Sequence, residues 1–215
     1  MSWINKDTEI YCSFSKSAGN VGCQMMNSAF YYYRLNKIYK SFSINNIEDG
    51  VKAVKTLNIK AFAVTMPFKK EVLKYVDEIS EEVNNCKSAN TVLNVNGKLK
   101  AYNTDIYSSG IVLKNNIKNI SKIYILGDGG FSSAVKYSAE KLLNNVEIIT
   151  RKNWYKLKTI KNSIVFNCTP VENIKIDKSN TYIDCIIGTK TGNLLAKLQA
   201  SKQFELYTGK KFPLS

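Results

Sequence analysis

The chain of 215 residues predicts an α/β fold in two parts. Three observations carry that expectation. Apolar runs of strand length alternate with segments of helical periodicity along the whole chain. Two strand-like runs, TVLNV and KLKAY, flank Asn96-Gly97, a strong hairpin signal because a type I′ turn needs positive φ at both central positions. From Lys122 the chain reads strand, glycine loop, helix, strand in KIYILGDGGFSSAVKYSAEKLLNNVEIITRKN. The first part is therefore an N-terminal α/β domain. The second is a reduced Rossmann-like dinucleotide-binding domain.

Each element has its own reason. EIYCSF reads as a strand, followed by the Ser/Gly loop SKSAGNVG. VGCQMMNSAFYYYRL reads as a helix, with Val21, Met25, Ala29 and Tyr32 at helical spacing. IYKSFS is a second strand. NNIEDGVKAVKTL has an asparagine cap, Ile47, Val51 and Val54 on one face, and early acidic residues that suit a helix N-terminus. KAFAVT is continuously apolar, as expected of a central strand in a parallel sheet. PFKKEVLKYVDEI predicts a helix with Pro67 in its first turn, where the missing N–H is no loss. After the hairpin, IYSSGIVLKNN begins another helix and NIKNIS connects. SIVFNCTP and TYIDCII are short apolar strands. GNLLAKLQASKQFELYTG is a closing helix that turns Leu194, Leu195, Leu198, Phe204 and Leu206 to a core and stops at Gly209. The expected division is 1–105 and 106–191, with a C-terminal helix at 192–215 completing the first domain.

Composition excludes several classes. Hydrophobic residues are 44% and charged residues 22%, an ordinary globular balance. No run of eighteen apolar residues predicts a membrane span, and MSWINKDTEI lacks the apolar core of a signal peptide. Five dispersed cysteines without a CxxC, and no histidine, argue against zinc or any other metal and for reduced thiols in a cytoplasm. Without histidine, proton chemistry near neutral pH falls to Lys, Asp, Glu, Tyr or Cys. The net charge of +14 invites nucleic acid, but the lysines are dispersed along the chain rather than clustered, so no nucleic-acid partner is expected.

The candidate chemistry lies at strand ends. AVTMPFKK ends an apolar run in a proline and two lysines, either a solvated strand end or a cation aimed into a site. Lys69, with Asn90 of SANT and Asp105 of YNTD at the open end of the hairpin, forms the candidate set. A carboxylate that orients an ammonium beside a reacting oxygen suits proton movement coupled to hydride transfer. Gly127, Gly129 and Gly130 stand where a backbone can approach a pyrophosphate at a helix N-terminus, although Ser132 replaces the third glycine. After the next strand, Arg151 and Lys152 either accommodate a ribose 2′-phosphate, favouring NADP, or form a cationic loop in a lysine-rich protein.

These pieces resemble the shikimate dehydrogenases, and above all the shikimate dehydrogenase-like branch. SFSKSAGNVGCQMMNSAF, AVTMPFKK, SANTVLNVNGKLKAYNTD, GDGGFSSA, FNCTP and LQASKQFELYTG follow in the family's order over nearly the whole chain. The resemblance implies reversible reduction of 3-dehydroshikimate to shikimate by NADPH, in aromatic amino-acid precursor biosynthesis. It implies Lys69 and Asp105 as a catalytic pair. Asn90 would bind a substrate hydroxyl. Ser13, Ser15 and Thr65 would face the substrate carboxylate, and Gln199 would close the site. Gly127, Gly129 and Gly130 would cradle the pyrophosphate, with Thr150, Arg151 and Lys152 at the adenosine phosphate. It leaves a monomer and a homodimer equally open. The chain departs from the family at Ala63, often an asparagine, and at Met26, where the family has a histidine. The stretch between TRK and FNCTP is too short for the helix and strand that normally fit there. That shortening raises the alternative of a degenerate relative that binds a small hydroxy acid or a nucleotide without turnover.

Overall fold

The computed structural model describes residues 4–213. The first three residues, where the leader reading begins, and the last two of the 192–215 segment lie outside the described residues. The chain divides into two compact units, Met1–Thr104 with Ala200–Ser215, and Asp105–Gln199.

In the first unit, β1 (Glu9–Ser15), β2 (Lys37–Ser43), β3 (Ala61–Val64), β4 (Glu78–Ile79), β5 (Thr91–Val95) and β6 (Lys98–Tyr102) form one sheet in the order β2-β1-β3-β5-β6-β4. β1 runs parallel to both β2 and β3, whereas β5 is antiparallel to β3 and to β6. The central strand β3 thus has one parallel and one antiparallel neighbour, a correction to the wholly parallel setting its apolar run predicts. The hairpin turn has φ of 52° at Asn96 and 86° at Gly97, the conformation that an Asn-Gly pair tolerates.

Period-two alternation gives this sheet two buried faces. Cys12, Phe14, Phe62 and Val64 meet Ile47, Val51 and Val54 of α2 (Ile47–Thr56). Asn46 caps α2, its side chain accepting the Asp49 N–H at 2.9 Å. On the other face, Tyr11, Tyr39 and Ala61 meet α1 (Val21–Tyr32) and Phe204 and Tyr207 of α6 (Lys190–Thr208). The buried stripe of α1 is Met26, Ala29 and Phe30; Val21 and Tyr32 are exposed. The expected stripe is therefore rotated, because the positions of Tyr11 and Phe204 decide which side is covered. Asn27 of α1 also seals the sheet edge, donating to the Tyr39 carbonyl and accepting the Tyr39 N–H, both at 2.8 Å.

The helix predicted from Pro67 does not form. The Met66-Pro67 peptide is cis, the chain turns as Phe68 N–H bonds the Thr65 carbonyl at 2.8 Å, and only a 3-10 segment, Glu71–Tyr75, follows. Asp77 and Ser80 N–H groups then bond the carbonyls of Leu99 and Ala101. Pairing with β6 thus draws this segment away from helix. The short helix α3 (Glu81–Cys86), which the sequence reading passes over, comes next with Ser80 as its cap.

In the second unit, β7 (Ile123–Leu126), β8 (Val146–Ile149), β9 (Ile164–Asn167) and β10 (Thr181–Asp184) form a parallel sheet in the order β10-β9-β7-β8. Ile123, Ile125, Ile164, Phe166 and Ile183 pack against α4 (Thr104–Asn116), α5 (Gly130–Glu140) and Leu195. Leu126, Ile149 and Val165 line the opposite face, where Leu157 and Ile160 cover them. A 3-10 segment, Arg151–Thr159, carries Leu157. So the shortened stretch closes the second face with a tight 3-10 turn in place of a longer helix and strand.

The closing helix α6 ends at Thr208, not at 215, and Gly209 adopts a φ of 69° while its N–H bonds the Glu205 carbonyl. Leu195 and Phe204 are buried, whereas Leu194 is exposed.

Candidate functional site

The first unit gathers most of its expected site residues at one end of the sheet. β1, β2 and β3 deliver Ser13, Ser15, Ser41 and Thr65 from their C-terminal ends, and antiparallel β5 brings its start to the same place. On β1 and β2 the covered face changes from Tyr11 opposite Tyr39 to Ser13 opposite Ser41 and Ser15 opposite Ser43. The Ser13 hydroxyl lies 2.9 Å from that of Ser41. Ser15 is buried at the strand end.

Backbone bonds tie the other segments to this end. The Thr65 N–H bonds the Phe14 carbonyl at 3.0 Å, and the Val64 N–H bonds the Asn90 carbonyl at 2.8 Å. The Lys69 carbonyl accepts the Ala89 N–H at 2.8 Å. The turn carrying Lys69 is therefore fastened to the segment carrying Asn90. Lys69 is half-buried and Lys70 exposed.

Asn90 is 2% exposed and held by its neighbours. Its Oδ1 accepts the Thr104 N–H and the Thr91 hydroxyl, both at 2.8 Å. Its Nδ2 donates to Thr104 Oγ1 at 2.9 Å. A backbone N–H can only donate, so the Thr104 contact fixes which end of the amide is oxygen. Gln203 of α6 donates to Thr91 Oγ1 at 2.9 Å and to the Asn90 carbonyl at 3.2 Å. Asn103 donates to the Ser88 carbonyl and hydroxyl at 2.8 and 2.9 Å. Sequence reasoning missed Thr104, Asn103 and Gln203 as members of this network. Their one advance signal was the polar pair of tetrapeptides SANT and YNTD around the hairpin.

Asp105 and Gln199 belong to the second unit. Asp105, the second residue of α4, is 2% exposed, and its carbonyl accepts the Ser108 and Ser109 hydroxyls at 3.0 and 2.7 Å. Gln199 is half-buried in α6, one turn before Gln203.

The glycine loop of the second unit lies between β7 and α5. Gly127 has a φ of 99°, and a Cβ there would stand 3.0 Å from Thr169 Cγ2, so this position takes no side chain without strain. Gly129 is exposed with open space beside it and stands at the N-cap of α5 without a side-chain cap. A helix N-terminus next to an open backbone fits a pyrophosphate. Gly130 begins the helix. Ser132, at the third glycine position, turns its hydroxyl back to the Gly129 carbonyl at 2.8 Å and is 1% exposed. It therefore leaves the mouth of the loop clear.

Thr150, Arg151 and Lys152 follow β8. Thr150 and Asn153 form a reciprocal cap, the Thr150 N–H bonding Asn153 Oδ1 at 2.6 Å, and Arg151 and Lys152 are exposed. Two fixed but solvated cations after the second parallel strand suit a phosphate on an adenosine ribose. The FNCTP turn faces Gly127 from the end of β9. Asn167 Oδ1 accepts the Thr169 N–H and hydroxyl at 2.9 and 2.7 Å, and its Nδ2 bonds Asp184 at 3.2 Å. Among the described residues no cluster of His, Cys, Asp and Glu suits a metal ion, and no helix is long and apolar enough to cross a membrane.

These features define a two-unit α/β protein with a Rossmann-like second unit. A family model described as the shikimate dehydrogenase substrate binding domain matches residues 18–92. A shikimate dehydrogenase-like protein of Haemophilus influenzae is 38% identical over 133 residues, covering 61% of this chain and 49% of the relative. The NADP(+) shikimate dehydrogenase of Pyrococcus furiosus is 35% identical over 150 residues, covering 66% of this chain and 54% of the relative. The match thus spans about half the length of these curated relatives. A solved shikimate 5-dehydrogenase-like protein superposes with a TM-score of 0.81 at 28% identity, over 99% of this chain and 95% of that one. The chain is thus similar to shikimate dehydrogenases and to a shikimate dehydrogenase-like protein, with the family-model match confined to residues 18–92.

Proposed function

We propose that the protein is an NADP-dependent oxidoreductase that interconverts 3-dehydroshikimate and shikimate. The observation that carries the reading is the fastening of the Lys69 turn to the Asn90 network in the first unit. It gives one proton carrier and one oriented amide at the same sheet end, supported by serine and threonine hydroxyls suited to a carboxylate. The first unit, completed by the end of α6, is the substrate domain, and the second holds the cofactor. Gly127, Gly129 and Gly130 hold the pyrophosphate, and Thr150, Arg151 and Lys152 meet the adenosine phosphate.

Bound NADPH would supply a hydride to the substrate carbonyl carbon. Lys69 gives a proton to the carbonyl oxygen, and Asp105 is the second member of the catalytic pair that the resemblance implies. Asn90 donates to a substrate hydroxyl oxygen. Ser13, Ser15 and Thr65 bind the carboxylate, and the resemblance implies a substrate contact for Gln199. In the oxidising direction Lys69 takes the hydroxyl proton.

The test is reduction of NADP by purified protein given shikimate, followed by the near-ultraviolet absorbance of the product, with NAD and quinate in parallel. Reduction that requires shikimate and prefers NADP supports the reading. A folded protein that binds shikimate and reduces neither cofactor would instead match a non-catalytic relative. The 3-10 closure of the second unit favours that second reading.

A further inference from the structure

Among the described residues the first sheet ends in β2 and β4, and the second in β10 and β8. An edge strand turns every other N–H and C=O outward, where a strand of another chain can pair with them. β4 has two residues, too few to template a partner. The outward groups of the other three meet side chains of their own unit.

On β2, the Glu9 N–H bonds the Asn36 carbonyl and the Ile44 N–H bonds the Ser15 carbonyl. Ile38 and Lys40 therefore turn their backbone to β1, while Lys37, Tyr39 and Ser41 turn theirs outward. The Lys37 N–H bonds the Leu35 carbonyl at 2.8 Å, and the Ser41 N–H bonds Cys23 Sγ at 3.1 Å. Asn27 takes both groups of Tyr39 between them. On β10, the Thr181 and Cys185 N–H groups bond the Ser163 and Asn167 carbonyls, so Asp184 turns outward. The Thr191 hydroxyl accepts the Asp184 N–H and donates to the Asp184 carbonyl, both at 2.9 Å. On β8, the Ile123 and Gly127 N–H groups bond the Asn145 and Ile149 carbonyls, so Ile148 and Thr150 turn outward. Asn153 donates to the Ile148 carbonyl at 3.3 Å and accepts the Thr150 N–H at 2.6 Å. A doubly wound sheet carries a further strand beyond its second one. The shortened stretch omits it, and the Asn153 amide offers the donor and the acceptor that a strand would have brought.

We infer that Asn27, Thr191 and Asn153 are edge guards, which close β2, β10 and β8 to strand addition by a second copy of this chain. A strand arriving at these edges must first break an internal hydrogen bond for each one it makes, so pairing gains little. The inference goes beyond the proposed function and needs neither substrate nor turnover. Asn153 also caps the 3-10 segment, so Asn27 and Thr191 give the cleaner tests.

Two measurements on the full chain test it. The first is backbone hydrogen exchange. In wild type the Tyr39 and Asp184 amides should exchange as slowly as amides paired within the sheets. Asn27→Ala should speed exchange at Tyr39, and Thr191→Ala at Asp184, by about 3- to 10-fold, whereas Thr191→Ser keeps the hydroxyl and should retain the slow rate. Wild-type amides at these two positions that exchange as fast as exposed loop amides overturn the inference. The second is the mass in solution by light scattering over a concentration series, well below the melting temperature. The folded Asn27→Ala/Thr191→Ala variant should gain mass with concentration where wild type does not, with an infrared band of intermolecular sheet. A folded variant that keeps the wild-type mass, or one that associates only as it melts, overturns the inference. Should the double variant not fold, the single variants are read in the same way, and the wild-type exchange rates stand without any variant.

Discussion

The two units prepare for ligands in opposite ways. In the first, the polar side chains are already engaged with one another: Asn90, Thr91, Thr104 and Gln203 hold a fixed pattern in a buried setting. In the second, the loop is shaped by what is missing. Gly127 carries no Cβ where Thr169 approaches, α5 has no side-chain cap, and Arg151 and Lys152 extend into solvent. A network of side chains discriminates between small molecules by donor and acceptor geometry. A bare backbone with solvated cations takes a phosphate by charge and N–H groups, with little demand on sequence. The family model matches 18–92, in the first unit, where the demand on side chains is the stricter.

The largest expected effect falls in the first unit. Lys69→Ala should lower kcat by about 10²- to 10⁴-fold, the range for loss of a positioned proton carrier. Steady-state kinetics with a separate shikimate titration would read it, and an unchanged kcat removes Lys69 from that role. Next comes Gly127→Val in the second unit. A side chain at positive φ against Thr169 should cost about 1–3 kcal/mol of stability and weaken NADPH at least about tenfold. Calorimetry and a fluorescence titration would show both, and full NADPH affinity in this variant contradicts the backbone-cradle description. Arg151→Ala sharpens the contrast by leaving the cradle intact. It should weaken NADPH about tenfold and leave NADH nearly unchanged, and equal losses for both cofactors dispose of the 2′-phosphate contact.

Smaller effects probe the first unit alone. The Tyr207 hydroxyl is buried with no hydrogen-bond partner among the described residues. Tyr207→Phe should therefore be neutral or stabilise by up to about 1 kcal/mol, and a clear fall in melting temperature would mean that the hydroxyl has a structural task. The smallest effect is electrostatic. Burial pushes the Glu9 carboxyl up, but its hydrogen bond and charge contact with Lys37 outweigh this and leave it below its ordinary value of 4.5. Burial lowers the Lys37 ammonium, while its bonds to Glu9 and Tyr11 carry it above its ordinary 10.5. The carboxylate contribution is thus complete above pH 4.5 and is lost as pH falls through the lowered value. The ammonium contribution is complete below pH 10.5 and is lost as pH rises through the raised one. Because Glu9 is more than a third exposed, the pair is worth at most about 1 kcal/mol. Glu9→Gln should lower the melting temperature slightly at neutral pH, and the gap to wild type should close in acid. A gap that persists there would assign the effect to packing.

The short-range chemistry of this protein was legible from its sequence. Asn96-Gly97 fixed a turn because few other pairs accept positive φ twice. Gly127 after IYIL marked a backbone approach, and Asn46 marked a helix start through its own side chain. These depend on residues within one turn of each other. Tertiary structure decided what depends on distant partners. It denied PFKKEVLKYVDEI a helix, because β6 offered Asp77 and Ser80 hydrogen bonds from more than twenty residues away. It rotated the buried stripe of α1 onto Met26 and Phe30, because Tyr11 and Phe204 lie on that side. It selected Gln203 to bind the Asn90 strand, because only the folded chain brings residues 113 apart in sequence within 3.2 Å. Backbone propensity acts locally and can be read from neighbours, whereas desolvation and hydrogen-bond satisfaction act on whatever the fold brings together.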